Sequence, residues 1–145
     1  MPRHLAGIAE IVESIDEALK LYHDTLGLEI HQRMEDDYVM LKVPGVLHFG
    51  IWSRAAAAEA ILGSRDLADQ VPLGFTIEFE VDDVDATAGQ LTAAGCQLVH
   101  APRTEPWGQK SCRILAVSTA PLGFAETPWA RQLKTDVIPE KPDDD

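Results

Sequence analysis

Two stretches of this chain run through the same order of local patterns, and that repetition limits the fold more than any other feature. In the first, residues 5–12 are mostly apolar and suit a strand, after which the phrase SIDEALKLYHDTLGLEI changes period. Ser14 stands three residues before Glu17, the spacing of a capping box, and Ile15, Leu19, Tyr22 and Leu26 recur at helical intervals up to Gly27. Three short strands are expected at 28–34, 38–43 and 46–52, separated by EDD and PG turns. The second stretch repeats the plan: a strand at 74–81, a helix opened by Asp82, Asp83 and Asp85 with Val84, Thr87, Leu91 and Ala94 as its stripe, then strands at 97–100, 111–118 and 122–127. PRTEPWG reads as a loop between the last three, and AAAAEAIL makes 54–67 a helical connector. Two β-α-β-β-β units, at about 5–52 and 74–127, predict an α+β fold with helices on one face of antiparallel-rich sheets. The opposite face is then free to form a cleft.

At 145 residues the chain is one domain long, and 46% apolar residues supply its core. Twelve basic against 24 acidic residues leave −12. The end of the chain, 134–145, has five acids against two lysines and reads as a solvated, disordered tail. The domain at 1–133 therefore keeps −9. A body this acidic repels phosphate backbones and anionic headgroups, so neither nucleic acid nor membrane is an expected partner. No apolar run reaches the roughly 18 residues of a membrane span, and the first residues lack the apolar core of a signal peptide, so a cytoplasmic protein is expected. Cys96 and Cys112 form no CxxC motif and read as reduced thiols, with Cys112 in the core.

Strand parity indicates which side chains share the free face, because successive residues point to opposite sides. If Phe75, Ile77, Phe79 and Val81 are the packed side of their strand, Thr76, Glu78 and Glu80 are the other. With Leu47, Phe49 and Ile51 inward, His48 and Trp52 turn to the cleft, and Tyr38 and Met40 oppose Val39 and Leu41. Such a surface suits an aromatic or cationic ligand. Enclosure of the cleft would raise the pKa of a carboxyl at Glu78 or Glu80. Glu10 falls on the side that Ile8 and Val12 bury, so either the phase differs there or its carboxylate has a partner.

Together VESIDEALKLYHDTLGLEI, LHFGIW, FTIEFEVDDVDATAGQLTAAG and PRTEPWG resemble the vicinal oxygen chelate superfamily, the glyoxalase, bleomycin-resistance and extradiol dioxygenase group, from about Gly7 to Thr127. The resemblance implies paired modules whose sheet curves around a cleft. Metal-dependent members place His, Glu or Gln ligands on the first, fourth, fifth and eighth strands. Those positions hold Gly7, Val46, Thr76 and Thr127 here, or Glu126 with a register slip, and the DPDGN turn reads TAPLGF. No metal and no cofactor is therefore expected, although a bulge that brought His4 closer could leave a displaced set of His4, His48, Glu78 and Glu126. What remains resembles the metal-free branch, which sequesters bleomycin-type antibiotics as homodimers with acidic clefts and carries LHF and PWG phrases like those at 47–49 and 106–108. The implied function is a metal-independent small-molecule-binding protein of the antibiotic-resistance type. The alternative is a vicinal oxygen chelate lyase, isomerase or dioxygenase carrying that displaced metal site, with no catalytic residue assigned. The expected ligand-binding residues are Tyr38, Met40, His48, Trp52, Thr76, Glu78 and Trp107, with Glu80 as a rim carboxylate.

Overall fold

Ser14 opens the first helix as its spacing predicts. Its Oγ accepts the Glu17 N–H at 3.2 Å, while the Glu17 carboxylate turns outward to Lys20 at 2.8 Å. The helix α1 (Ile15–Leu19) widens into a π-helical stretch, Lys20–Thr25, and the chain reverses at Gly27, whose φ of +73° suits a residue without a β-carbon. Asp83 caps α3 (Val84–Ala93) through the Ala86 N–H at 3.0 Å, and Ser53 caps α2 (Arg54–Leu62) through that of Ala56 at 3.1 Å. The connector helix stops at Gly63, φ +90°, and a separate 3-10 turn, Arg65–Gln70, completes the crossing that the sequence reads as one helix to 67. The computed structural model describes residues 2–130, so the expected tail at 134–145 and the domain end at 133 lie outside the described residues.

Eight strands form one sheet: β1 (His4–Val12), β2 (Ile30–Met34), β3 (Tyr38–Leu41), β4 (His48–Ser53), β5 (Gly74–Glu80), β6 (His100–Thr104), β7 (Lys110–Leu115) and β8 (Pro121–Glu126). Their order is β2-β3-β4-β1-β5-β8-β7-β6. Each half repeats the same pairing, β1 parallel to β4 and β5 parallel to β8, and the halves join through the antiparallel pair β1–β5. The duplication read from the sequence is thus the architecture of an α+β fold. One strand is misplaced in that reading. β6 begins at His100 and runs through Pro102, which the PRTEPWG phrase assigns to a loop. β6 lies at the sheet's edge, where a proline's missing N–H removes no ladder bond.

Parity holds along the central strands. α1 packs on Val39, Leu41, Ile51 and Phe49, and α3 on Phe79, Cys112 and Phe124, all on one face of the sheet. Glu10 falls on that face and has its partner, the Tyr22 hydroxyl, which donates to Oε1 at 2.5 Å. The connector does something the sequence does not indicate. α2 lies on the other face, where Ala57, Ala58 and Ile61 cover Ile11 and Val71, with Trp52 and Val99 against them. It therefore fills the end of that face where β1 and β4 finish, and leaves the end where they begin to polar side chains. Among the described residues no helix is long and apolar enough to cross a membrane.

Candidate functional site

The floor of the polar end is built of small residues. Gly7 and Ala9 of β1 stand between His48 and Gly50 of β4 on one side and Glu78 and Thr76 of β5 on the other, with Gly123 and Ala125 of β8 beyond. Absent β-carbons give the larger side chains their space. The Tyr38 ring lies across Gly50, where a β-carbon would come within 2.4 Å of it. At Gly123 a β-carbon would meet Glu78 Cγ at 3.2 Å, and at Gly7 it would meet His48 Cβ at 3.1 Å. Tyr38, Met40, His48, Thr76 and Glu78 thus share the face that parity assigns them. Trp52 is on it too, but its ring is packed under α2, 6.0 Å from the Arg113 guanidinium carbon. The Thr76 hydroxyl donates to the Pro121 carbonyl.

Trp107 enters through a relay. Its indole N–H donates to Gln109 Oε1 at 2.6 Å, and the Gln109 amide donates to Glu78 Oε1 at 2.9 Å and Thr127 Oγ1 at 2.7 Å. Gln109 is a residue the sequence reading missed, one position beyond the PWG phrase. Arg113 and Glu105 are two more. They form a buried ion pair at 2.9 Å, with the Ser111 hydroxyl on the same Glu105 oxygen at 2.8 Å and His100 Nε2 2.9 Å from the guanidinium. Parity on β7 was the available signal: once Cys112 is in the core, Ser111 and Arg113 must face the site. Burial opposes ionisation of Glu105, but the charge of Arg113, the Ser111 hydroxyl and Arg103 outweigh it and hold its pKa below the ordinary range.

Glu78 keeps some surface along the face, yet protein packs its carboxyl closely enough that burial raises its pKa. Arg113 and the Gln109 hydrogen bond oppose the rise, and the charges of Glu80 and Glu105 add to it. Tyr38 is pushed up to about 12, by burial first and then by the Glu78 charge. His48 is lowered by burial, partly offset by Glu80, and its Nε2 accepts the Trp129 indole N–H at 3.3 Å. Glu80 is not the rim carboxylate the sequence suggests. It is 1% exposed, Oε1 accepts the Thr127 N–H at 2.7 Å, and Oε2 is buried without a partner among the described residues. The Thr127 backbone N–H, one residue past β8, closes on the Glu80 carboxylate.

The residues do not fit the family's metal. Gly7 has no donor and no room for one against His48, Val46 is apolar, the Thr76 hydroxyl is spent on Pro121, and the Thr127 hydroxyl is held by Gln109. A bulge between Leu5 and Gly7 does rotate His4 onto the site face, opposite Glu80, as a displaced set requires. Glu126, however, alternates with Ala125 and Thr127 and lies on the other face, opposite Lys110. Among the described residues no three His, Cys, Asp or Glu side chains come together as a metal site. A second concavity lies at the far end of the molecule, a groove of about 400 Å³ lined by Ile61, Leu62, Val71, Val99, Leu115 and Pro121 among others.

This duplicated β-α-β-β-β sheet, with a polar face set between its modules, is matched over residues 5–120 by the family model for the glyoxalase-like domain. The chain belongs to that family, and with it to the vicinal oxygen chelate superfamily. Among solved structures it is similar to a hypothetical protein from Bacillus halodurans (17% identity, 86% of this chain and 94% of that one, TM-score 0.65). It is similar also to methylmalonyl-CoA epimerase from Mycobacterium tuberculosis (21%, 86% and 88%, 0.63). A third is a glyoxalase/bleomycin resistance protein/dioxygenase superfamily member from Vibrio splendidus (18%, 86% and 100%, 0.62). At these identities the likeness is one of fold. No curated protein matches the chain.

Proposed function

We propose that this chain is a metal-independent, cytoplasmic binding protein that sequesters a small organic molecule on the polar end of the site face. The observation that carries this reading is the convergence of Tyr38, Met40, His48, Thr76 and Glu78 from β3, β4 and β5 over a floor of glycines, with Trp107 tied to the same carboxyl through Gln109. A flat aromatic ligand suits that floor, and the acidic side chains leave a cationic one open. Antibiotic sequestration is the form of this function that the family resemblance favours. The protein acts as a homodimer, for which exposed Leu73, Phe75, Leu115 and Val117 offer apolar surface. A thermal-shift screen of aromatic natural products on metal-free protein tests the reading, with light scattering for the dimer. A compound that stabilises the parent but not Tyr38→Ala supports it, and stabilisation by divalent metal alone overturns it.

A second reading, an enzyme of the same fold, rests on Glu78, whose carboxyl pKa is raised by burial and whose hydrogen-bond partner, Gln109, leaves Oε2 free to take or give a proton. Exchange of a ligand's carbon-bound hydrogen with deuterated solvent, abolished in Glu78→Gln, would establish it over pure sequestration.

A further inference from the structure

Trp129 stands against the site face on a turn that is anchored at both ends. The Thr127 N–H donates to Glu80 Oε1 and its hydroxyl oxygen accepts from the Gln109 amide, both at 2.7 Å, so the chain enters the 3-10 turn Pro128–Ala130 from a fixed point. At the other end the Ala130 N–H closes on the Thr127 carbonyl at 3.0 Å, and the Ala130 side chain is buried. Between these anchors the Trp129 indole is half exposed, its ring 6.2 Å from the His48 imidazole and tilted 56° to it.

An indole N–H donates and has nothing with which to accept, so His48 Nε2, 3.3 Å away, must present a lone pair to it. Burial holds His48 toward its neutral form, with His31 adding to the effect and Glu80 opposing it. A neutral imidazole carries one proton, and the nitrogen that holds it is set by the bond the other makes. In His48 that proton belongs on Nδ1.

His4, His48 and His100 all lie on this face, and they differ in what they have left to offer. His100 spends both nitrogens: the Ala101 carbonyl 2.8 Å from Nδ1 requires the proton there, and Nε2 accepts from Arg113 Nη1 at 2.9 Å. His4, opposite Glu80, has both nitrogens sealed from solvent. Of the three, His48 keeps a nitrogen that is neither bonded nor sealed in, since Nδ1 has no partner among the described residues and is not among their buried, unpartnered atoms.

We propose that Trp129 is a positioning residue that acts through His48: by occupying Nε2 it holds the imidazole as the Nδ1–H tautomer, so that His48 meets the ligand as a hydrogen-bond donor and selects a compound with a neutral oxygen acceptor at that point. This rests on the reading of the face as a ligand site and deepens it. It also removes His48 Nε2 as a base for the enzymatic alternative.

Long-range ¹H–¹⁵N correlation spectra at pH 8, above the ordinary imidazole value, read the tautomer without any ligand. His48 is expected to show a protonated Nδ1 and an unprotonated Nε2. In Trp129→Phe, which keeps a ring and removes the N–H, the ratio of Nδ1–H to Nε2–H should fall by about fivefold, the worth of one net hydrogen bond, while His100, pinned by Ala101 and Arg113, keeps its tautomer. An Nε2–H His48 in the parent protein, or a ratio unchanged in the variant, would overturn the proposal. Acetophenone, which only accepts, and benzylammonium, which only donates, then probe the ligand side. Acetophenone is expected to move the His48 Nδ1 resonance and to bind about fivefold more weakly to Trp129→Phe, and benzylammonium to leave that resonance in place. Equal movement by both, an acetophenone affinity unchanged in the variant, or shifts at Gly50 and Gly123 with Nδ1 silent would overturn the proposal and leave the ligand face standing. Silence of His48 and both glycines toward both probes would overturn proposal and face together.

Discussion

Replacing Gly50 with alanine tests the packing of the site by sign as well as size. A glycine inside a strand ordinarily costs stability, about 0.5–1 kcal/mol relative to alanine, so Gly50→Ala would stabilise an unobstructed strand. Here the new methyl would lie 2.4 Å from Tyr38 Cε2, 2.5 Å from its oxygen and 2.7 Å from Cζ. Carbon atoms in contact sit at about 3.5–4.0 Å, so the ring must retreat by roughly 1 Å. Below it Trp52, its cross-strand neighbour, is packed under α2, and retreat is toward solvent. Overpacking of this kind costs about 1–3 kcal/mol, and at about 2–4 °C per kcal/mol for a chain of this size Tm should fall by about 2–12 °C. Calorimetry reads the loss, and absorbance titration reads its cause, because a displaced Tyr38 loses the burial that pushes it up to about 12 and ionises nearer the ordinary value. In a Tyr38→Ala background the same alanine should instead add about 0.5–1 kcal/mol of stability. A Gly50→Ala protein with an unchanged or higher Tm and an unchanged tyrosine titration would show that the ring does not lie on this glycine.

The chain has only two tyrosines, and Tyr22 is likewise pushed up to about 12, by burial and its bond to Glu10, so absorbance near 295 nm should show almost no tyrosinate at pH 10.5 until the protein unfolds. Glu78, raised in the folded state, contributes stability that is present below the ordinary carboxylate pKa and lost as pH rises through its folded pKa. Glu78→Gln should therefore gain stability over the parent at pH 8 but not at pH 4, as read by urea unfolding. His48 and His100 are both lowered by burial, so the unfolded chain takes up protons first, and stability should decline as pH falls below about 6.5 toward their folded values; imidazole resonances should titrate below that point. Breaking the buried pair with Glu105→Gln should cost about 3–5 kcal/mol in chemical denaturation, most of it recovered when Arg113→Met is added.

The two modules and the sharing of one face by Tyr38, His48, Thr76 and Glu78 were legible in the sequence because both rest on local periodicity, which the central strands obey. Four features were not. Pro102 masks an edge strand, since residue preference carries no information about sheet position. The apolar run of α2 announces a helix but not which face of the sheet it covers, and that face, by packing over Ile11 and Trp52, fixes which end remains for a ligand. The exposure of Glu80 was misjudged because parity gives direction and not depth: the turn of the Thr127 backbone onto its carboxylate is a tertiary event. His4 reached the site face only through the bulge after Leu5, an irregularity that alternation alone cannot locate.

The location of the ligand is what every other statement about function depends on, and amide chemical-shift mapping of the first compound that stabilises the protein in a thermal screen measures it directly. The largest shifts are predicted at Gly7, Gly50, Glu78 and Gly123, on the glycine floor beneath Tyr38. Shifts confined to Ile61, Val71, Val99 and Leu115, in the apolar groove at the other end, would place the ligand outside the site described and contradict the account.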